Sequence, residues 1–476
     1  MNKNRVLTTY LLMLIFLGRV SGTIWYVHPD SSLNSIQGGL DSCAAYDTVL
    51  VGPGIYYESI DWPYLHGINL ISEYGPETTI VDAQETGSVI YLSLMPDDSI
   101  TLIHGFTLKN GSAWQGGGIY SVGGKPTIRG NVITQCTSQW PRRKGDGPPP
   151  RGGGIYAEWS SPLIVDNVIT CNTANQGGGI SCYCDAANIA PTIIKNTVML
   201  NSAGIGGGIQ IICPFTMTVL RENVVVENTA EFGGGIACYY VINPLLTIVK
   251  NTVSGNSADS AGGGIWCYLN SHPFIDSCII SENVNDGIYS GFYSSPVIRY
   301  NNITNNEGCG VRNVDQTLVV LAENNWWGDI TGPYNPLTNP GGLGDTVSHF
   351  VDYDPWLTLP GTEELTTLQP AGITLLVNPN PFRDKLQIRF TVHDSRSVEQ
   401  ELRNSNFEMR KHKLEIYDAS GRLVRSFDLE SCIMDHVSTI RWDGTDQSNR
   451  PLAGGVYFLK LELGEYTIPE KVVLLK

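Results

Sequence analysis

Tyr183, Tyr239 and Tyr268 share one offset from a repeated tetrapeptide, three residues past the isoleucine of Gly-Gly-Gly-Ile, and Ile212 takes that place in another copy. Trp266 follows the isoleucine of one copy directly, and Tyr156 and Tyr289 do so elsewhere. If successive copies stack, flat rings recur at one spacing along a surface and can lie against the faces of sugar rings. Aromatic residues also favour sheet surfaces and pair across strands through packing alone. The row therefore reads as a binding platform or as a ladder of ring contacts. A second constellation is the insertion Ser138–Arg151, which carries Trp140, Arg142, Arg143, Lys144 and Arg151. Cations beside an indole on a loop can grip an anionic glycan or a partner. The Gly145–Pro150 run equally suits a solvated surface loop.

Acid–base chemistry is harder to find. Glycoside hydrolysis needs two carboxyl groups a few ångströms apart, which a stacked repeat would show as Asp or Glu at matching positions of adjacent copies. One outward position instead holds Asp166, Lys195, Glu222, Lys250 and Ser277, alternating in sign as a solvated ladder of ion pairs would. The eight histidines are scattered and suggest no pair. Cys182-x-Cys184 resembles half a metal site, without a second Cys or His pair to complete it. No catalytic residue is assigned, no cofactor is expected, and no metal ligand set is identified.

The elements that must position these residues follow from the repeat. Gly-Gly-Gly-Ile occurs at Gly116, Gly152, Gly177, Gly206, Gly233 and Gly262, in steps of 36, 25, 29, 27 and 29 residues. A period in this range marks a solenoid, in which one coil cannot bury its own apolar face. The apolar runs are short, β-branched and punctuated by Gly, Asn and Pro, which excludes helices and describes a parallel β-helix. Each run ends in Asn, at Asn131, Asn167, Asn196, Asn223, Asn251 and Asn301. A second column follows five residues later, at Asn172, Asn201, Asn228, Asn256 and Asn306. Cys278 takes the first position in one coil and Cys136 the second in another. Coils rise about 4.8 Å, so stacked amides can donate and accept along the axis. Asn also tolerates the left-handed turn conformation.

Eleven cysteines is an odd number. Cys182, Cys238 and Cys267 lie two residues past the repeat isoleucine, and Cys184 and Cys213 four past it, all with inward parity. They read as buried thiols, or as cross-coil disulfides Cys238–Cys267 and Cys184–Cys213.

Residues 1–22 read as an export signal: Lys3 and Arg5, an apolar core from Leu11 to Leu17, and Val20-Ser21-Gly22 as a cleavage site. No transmembrane segment is expected once it is removed. The chain carries a formal charge of −16, and the excess falls on 23–372, which holds 12 basic and 31 acidic residues. That balance argues against nucleic acid and anionic membranes as partners. Asn34–Cys43 reads as an amphipathic helix, with Asn34 as its cap, plugging the first coil. Irregular coils follow through Asp47–Val51, Ile68–Ser72, Thr79–Asp82, Ser88–Leu92 and Leu102–Leu108. Trp326-Trp327 and Phe350–Trp356 close the far end. Lys385–Val392, Lys413–Asp418, Arg422–Leu429, Ser438–Trp442, Gly455–Leu463 and Thr467–Leu475 read as strands of an antiparallel sandwich, with 394–410 as a polar loop.

Two resemblances rest on these residues. Residues 24–357 resemble the right-handed parallel β-helix, pectin-lyase-like superfamily, through the Gly-Gly-Gly-Ile and Asn repeats, Asp47–Tyr56 and Asn325-Trp326-Trp327-Gly328. Residues 376–476 look like the C-terminal sorting domain of bacterial type IX secretion. The matches are Asn380-Pro381-Phe382, Ile416–Arg422, Trp442-Asp443-Gly444, Gly454–Phe458 and Lys471–Lys476. The expected fold is all-β, a right-handed parallel β-helix solenoid followed by a small antiparallel β-sandwich. The expected division is a signal peptide over 1–22, β-helix over 23–357, linker over 358–372 and sorting domain over 373–476. The second resemblance implies the type IX machinery as partner and a secreted or cell-surface location.

The first resemblance spans polysaccharide lyases, hydrolases, esterases and proteins without activity, and fold does not choose among them. The Asp-Asp, Gly-His-Gly and Arg-x-Lys set typical of polygalacturonases is absent, as is the Arg-x-Pro-x-x-Arg segment of pectate lyases. Gly54–Glu58 resembles a piece of pectin methylesterases whose catalytic segments are missing. The expectation is a non-catalytic protein that binds a polysaccharide or surface glycan, or mediates adhesion. Tyr183, Tyr239, Trp266, Tyr268, Trp140, Arg142, Arg143 and Lys144 are its candidate contacts. The alternatives are a polysaccharide lyase or glycoside hydrolase with a divergent site, and a purely structural surface protein.

Overall fold

The computed structural model describes residues 22–94, 98–140, 147–184, 189–213, 218–242, 246–360, 373–378, 385–392, 413–418, 422–429, 437–448, 450–463 and 466–474. The chain forms two units that meet in sequence between residues 361 and 362.

The first unit is a parallel β-helix. Each coil contributes a short strand to three long sheets, of thirteen, ten and ten strands. In one coil these strands are Thr192–Ile194, Ile209–Ile212 and Thr197–Met199. The repeat isoleucines stack in register, Ile155 on Ile180, Ile209, Ile236 and Ile265, and all five are fully buried. A small fourth sheet, Ser202–Ile205, Thr229–Phe232 and Ser257–Ala261, precedes the glycine turns. Those turns need glycine for two reasons. Gly177 holds φ 64°, and a Cβ on Gly178 or Gly179 would stand 2.5 or 2.6 Å from a carbonyl oxygen of the next coil.

Both asparagine columns form, with a correction to how. Asn167 donates from its backbone N (3.0 Å) and its Nδ2 (2.9 Å) to Oδ1 of Asn196, while Nδ2 also reaches Ile128 O behind it. Each amide thus ties three coils and satisfies a backbone N–H that no strand partner takes. The left-handed conformation, however, belongs to the residue before each asparagine. Asp166, Cys171, Lys195, Leu200, Glu222, Glu227 and Lys250 hold φ between 54° and 58°. That residue turns the corner, so the asparagine can point inward. Asn283 belongs to the second column, and Asn325 extends the first by accepting from Asn301 N at 2.9 Å. Asp345 ends the second, accepting from Asn306 Nδ2 at 2.8 Å.

The ends are closed as the composition implies, with adjustments. Helix α1 is Ile36–Asp41, and its cap is Ser35, not Asn34: Ser35 is extended and its Oγ accepts from Gly38 N at 3.1 Å. Glu58 receives Ile36 N and Gln37 N at 2.8 and 2.9 Å, and Ile36 and Leu40 enter the core over Val27 and Val49. Leu102–Leu108 is two strands, Leu102–His104 and Thr107–Lys109, because Gly105 (φ 84°) makes a corner between them. At the far end Trp327 is fully buried with Val351 and Tyr353, whereas Trp326 is half-buried.

Four of the described cysteines settle the open reading differently. Cys184 and Cys213 form a disulfide, with Cα atoms 4.8 Å apart, just past the strand ends. Cys238 and Cys267 are register partners within the strands and remain thiols. Of the ion-pair ladder, Lys195 meets Glu222 at 3.6 Å, and Asp166 meets Arg129 at 3.5 Å rather than Lys195.

The second unit is antiparallel. Ile373–Asn378, Leu386–Val392 and Val437–Trp442 form one sheet; Leu423–Asp428, Lys413–Asp418, Gly455–Leu463 and Tyr466–Leu474 form the other. Leu386, Ile388 and Trp442 from one sheet share a buried cluster with Leu414, Ile416, Leu459, Leu461 and Val472 from the other. This is the expected sandwich, with Ile373–Asn378 as a further strand beside Leu386–Val392. The segment 394–410 lies outside the described residues.

Candidate functional site

The outer face of the second long sheet carries the aromatic residues in two columns, one and three residues past each repeat isoleucine. The first column starts as a stack: Tyr91 to Tyr120 and Tyr120 to Tyr156 have ring centroids 5.3 Å apart. Tyr120, directly after Ile119, holds the same offset in the sequence and belongs to this column. Tyr156 is 1 % exposed and its hydroxyl accepts from Arg151 Nη1 at 3.3 Å. Tyr120 donates to the Glu158 carboxylate. Burial first, then contact with Glu158, raises the Tyr120 phenol far above its ordinary range, and burial does the same to Tyr156. Neither phenol is poised to act as a base.

Further along, the first column is closed over. Ile205, Phe232 and Ala261, which are in register at the ends of the small fourth sheet, cluster with Ala237, Trp266, Tyr239 and Tyr268. Trp266 is therefore 4 % exposed. Its indole stacks on Tyr268 at 4.7 Å and 8°, with Phe232 at 5.3 Å. The sequence placed Trp266 on an outward face, and strand alternation does point it outward. The preceding strand covers it, so it supports the row from beneath and offers no face to a ligand.

The second column keeps half-exposed rings. Tyr183 and Ile212 are register partners, as are Tyr239 and Tyr268. Because Ile212 has no ring, a depression of about 460 Å³ opens there, lined by Pro149, Arg151, Gln176, Tyr183, Ile205, Ile212, Tyr239, Tyr240 and Leu269. The Arg151 guanidinium lies over the Tyr183 ring at 4.7 Å, and Arg151 Nε donates to Gln176 Oε1 at 3.0 Å. Arg151 is the last residue of the basic insertion, so the loop and the aromatic row meet at this point. Nothing in either motif alone showed that; it follows from the isolated bridges that align Gln115, Arg151, Gln176 and Ile205 coil by coil.

The other candidates fall elsewhere. Tyr268 stacks on Phe292 at 5.2 Å, beyond the depression. Trp140 is half-buried and pairs with Trp114, 6.4 Å between centroids, on the other limb of the insertion. The returning limb is tied down, with Trp114 Nε1 and Gln115 Nε2 both donating to proline carbonyls at 3.2 Å. Arg142, Arg143 and Lys144 lie outside the described residues.

Acid–base geometry on this face is sparse. Glu158 is the register neighbour of Tyr183, but Tyr120 occupies its carboxylate. Asp286, further along, is 1 % exposed and held by Arg312 Nε at 2.8 and 2.9 Å. No carboxylate among the described residues lines the depression. Among the described residues, no group of three or more His, Cys, Asp or Glu is placed to hold a metal. What remains is three tyrosine rings (Tyr183, Tyr239 and Tyr240), an apolar floor with Ile212 at its centre, and two polar side chains, Arg151 and Gln176, a lining of the mixed kind that small-molecule sites use.

Two family models agree with this architecture. The family model of the right-handed β-helix region matches residues 79–241 and 206–326, and that of the secretion system C-terminal sorting domain matches 376–475. No curated protein matches the chain. Among solved structures, the A-module of mannuronan C-5 epimerase AlgE4 from Azotobacter vinelandii is 14 % identical, covering 61 % of this chain and 73 % of that one, with a TM-score of 0.32. The complex of XylC with xylose is 10 % identical over 94 % of this chain and 100 % of that one, with a TM-score of 0.40. The chain belongs to the right-handed β-helix family, and its C-terminal sorting domain directs it through type IX secretion to the cell surface or exterior.

Proposed function

We propose that this exported β-helix binds carbohydrate, without cleaving it, in the depression between Tyr183 and Tyr239. The reading is supported by one juxtaposition. Two half-exposed rings flank Ile212, Arg151 and Gln176 stand at the rim, and the described residues of the lining include no carboxylate. Sugar C–H faces pack on the rings, while hydroxyls meet the phenols, the guanidinium and the amide. The rings lie two coil rises apart, about 10 Å, on the order of a disaccharide. A single shallow site of this kind binds weakly, and a polymer lying along the coil stack gains by contacting more of the row.

The experiment is a panel of neutral and anionic polysaccharides offered to the full exported chain, with polymer length measured in the same samples. Binding at constant length supports the proposal. Shortening of any polymer replaces it with a lyase or hydrolase whose acids lie elsewhere on the surface. No binding leaves a structural or protein-adhesive role.

A further inference from the structure

Asp47 is 4 % exposed, and its carboxylate accepts from Thr23 N at 2.6 Å, Trp25 Nε1 at 3.1 Å and Ala44 N at 2.8 Å. The Ala44 N–H, ahead of the other donors, holds the carboxyl below its usual range, so the group is an anion with little exposed surface. Every one of those partners is neutral, and no lysine, arginine or histidine among the described residues shifts it. A buried charge without a counter-charge is costly. The shortest of the three contacts is to Thr23, the residue just ahead of the first strand.

Thr23 follows Val20-Ser21-Gly22, the small-residue run that ends the apolar leader. Gly22 is wedged against the first coil, where a Cβ would stand 1.8 Å from Tyr46 O. Thr23 then leads the strand Ile24–Val27, which starts the first sheet and pairs with Thr48–Val51 under helix α1.

We propose that a signal peptidase hydrolyses the Gly22–Thr23 bond, and that the Thr23 α-ammonium so formed pairs with Asp47 and locks the first coil. One water adds across the amide: Gly22 departs as the leader's carboxylate, and the freed amine takes up the proton as an ammonium. Processing thereby supplies the missing counter-charge. The unprocessed chain offers Asp47 only a neutral amide.

The test begins with N-terminal sequencing of the full chain exported from a bacterial host, and Thr23 is the expected first residue. Amide hydrogen exchange over Ile24–Val27 is then compared in the mature chain with and without Nα-acetylation, each also as Asp47→Asn. Acetylation keeps the N–H that reaches Asp47 and removes only the charge. It should speed exchange about tenfold when Asp47 is present and have no effect in Asp47→Asn. A different first residue overturns the proposal. So does an Asp47→Asn effect of equal size in both forms, since Asp47 would then act only as an acceptor for neutral donors. If Asp47→Asn fails to fold, the unaltered chain decides alone, and unchanged exchange on acetylation overturns the pair.

Discussion

The asparagine columns and the aromatic row share one coil repeat, yet the first tolerates almost no interruption and the second is broken where it matters. Inside the turns, each Oδ1 must satisfy a buried N–H of the neighbouring coil, so a gap leaves an orphan donor. Outside, a missing ring costs only local packing, and at Ile212 the gap opens a depression. Regular stacking marks what holds the coils together. A departure from it marks where something else can be held.

The strongest way to break this contrast is Asn223→Leu. It removes the acceptor of Asn196 N and Nδ2, both at 3.0 Å, and a donor to Ile193 O. Stability measured by urea unfolding should fall by about 2–4 kcal/mol, with the outer face unaltered. Next comes the disulfide. Cys184→Ala with Cys213→Ala opens a loop of 29 residues and should cost on the order of 3 kcal/mol. Differential alkylation should find Cys238 and Cys267 free in the unaltered chain. Tyr239→Ala should do the reverse of Asn223→Leu: glycan affinity drops about tenfold, a loss of ~1.4 kcal/mol, while unfolding shifts less. The smallest effect sharpens the inner half. Cys278 interrupts the first column, and Asn251 N finds only its sulfur at 3.4 Å. Cys278→Asn should restore the amide and raise stability by roughly 0.5–1 kcal/mol.

Much of this was legible in the sequence, because periodic pattern and stacked polar residues are properties of one coil copied many times. Lys413–Asp418 and Gly455–Leu463 stand where turn residues bounded them, and the inward parity of Cys182, Cys238 and Cys267 held. What the pattern could not show depends on contacts between elements of different coils. Trp266 has the right parity for exposure, but Phe232 from the neighbouring coil covers it. Arg151 reads as part of a loop until the coil register sets it over Tyr183. Ser35 displaces Asn34 as the cap through a single dihedral choice. The proposed site is half visible in the sequence: Tyr183 and Tyr239 stand out there, but Tyr240, the isoleucine between those two rings and the arginine over Tyr183 take their meaning only from the stacked coils.

The most direct measurement is the affinity of the full exported chain for a polysaccharide it retains, compared with Tyr183→Ala, Tyr239→Ala and the double variant, with polymer length followed throughout. The account predicts about tenfold weaker binding for each single variant, a greater loss for the pair, melting close to that of the parent, and polymer length constant in every sample. Unchanged affinity in the double variant, or any shortening of the polymer, would contradict it.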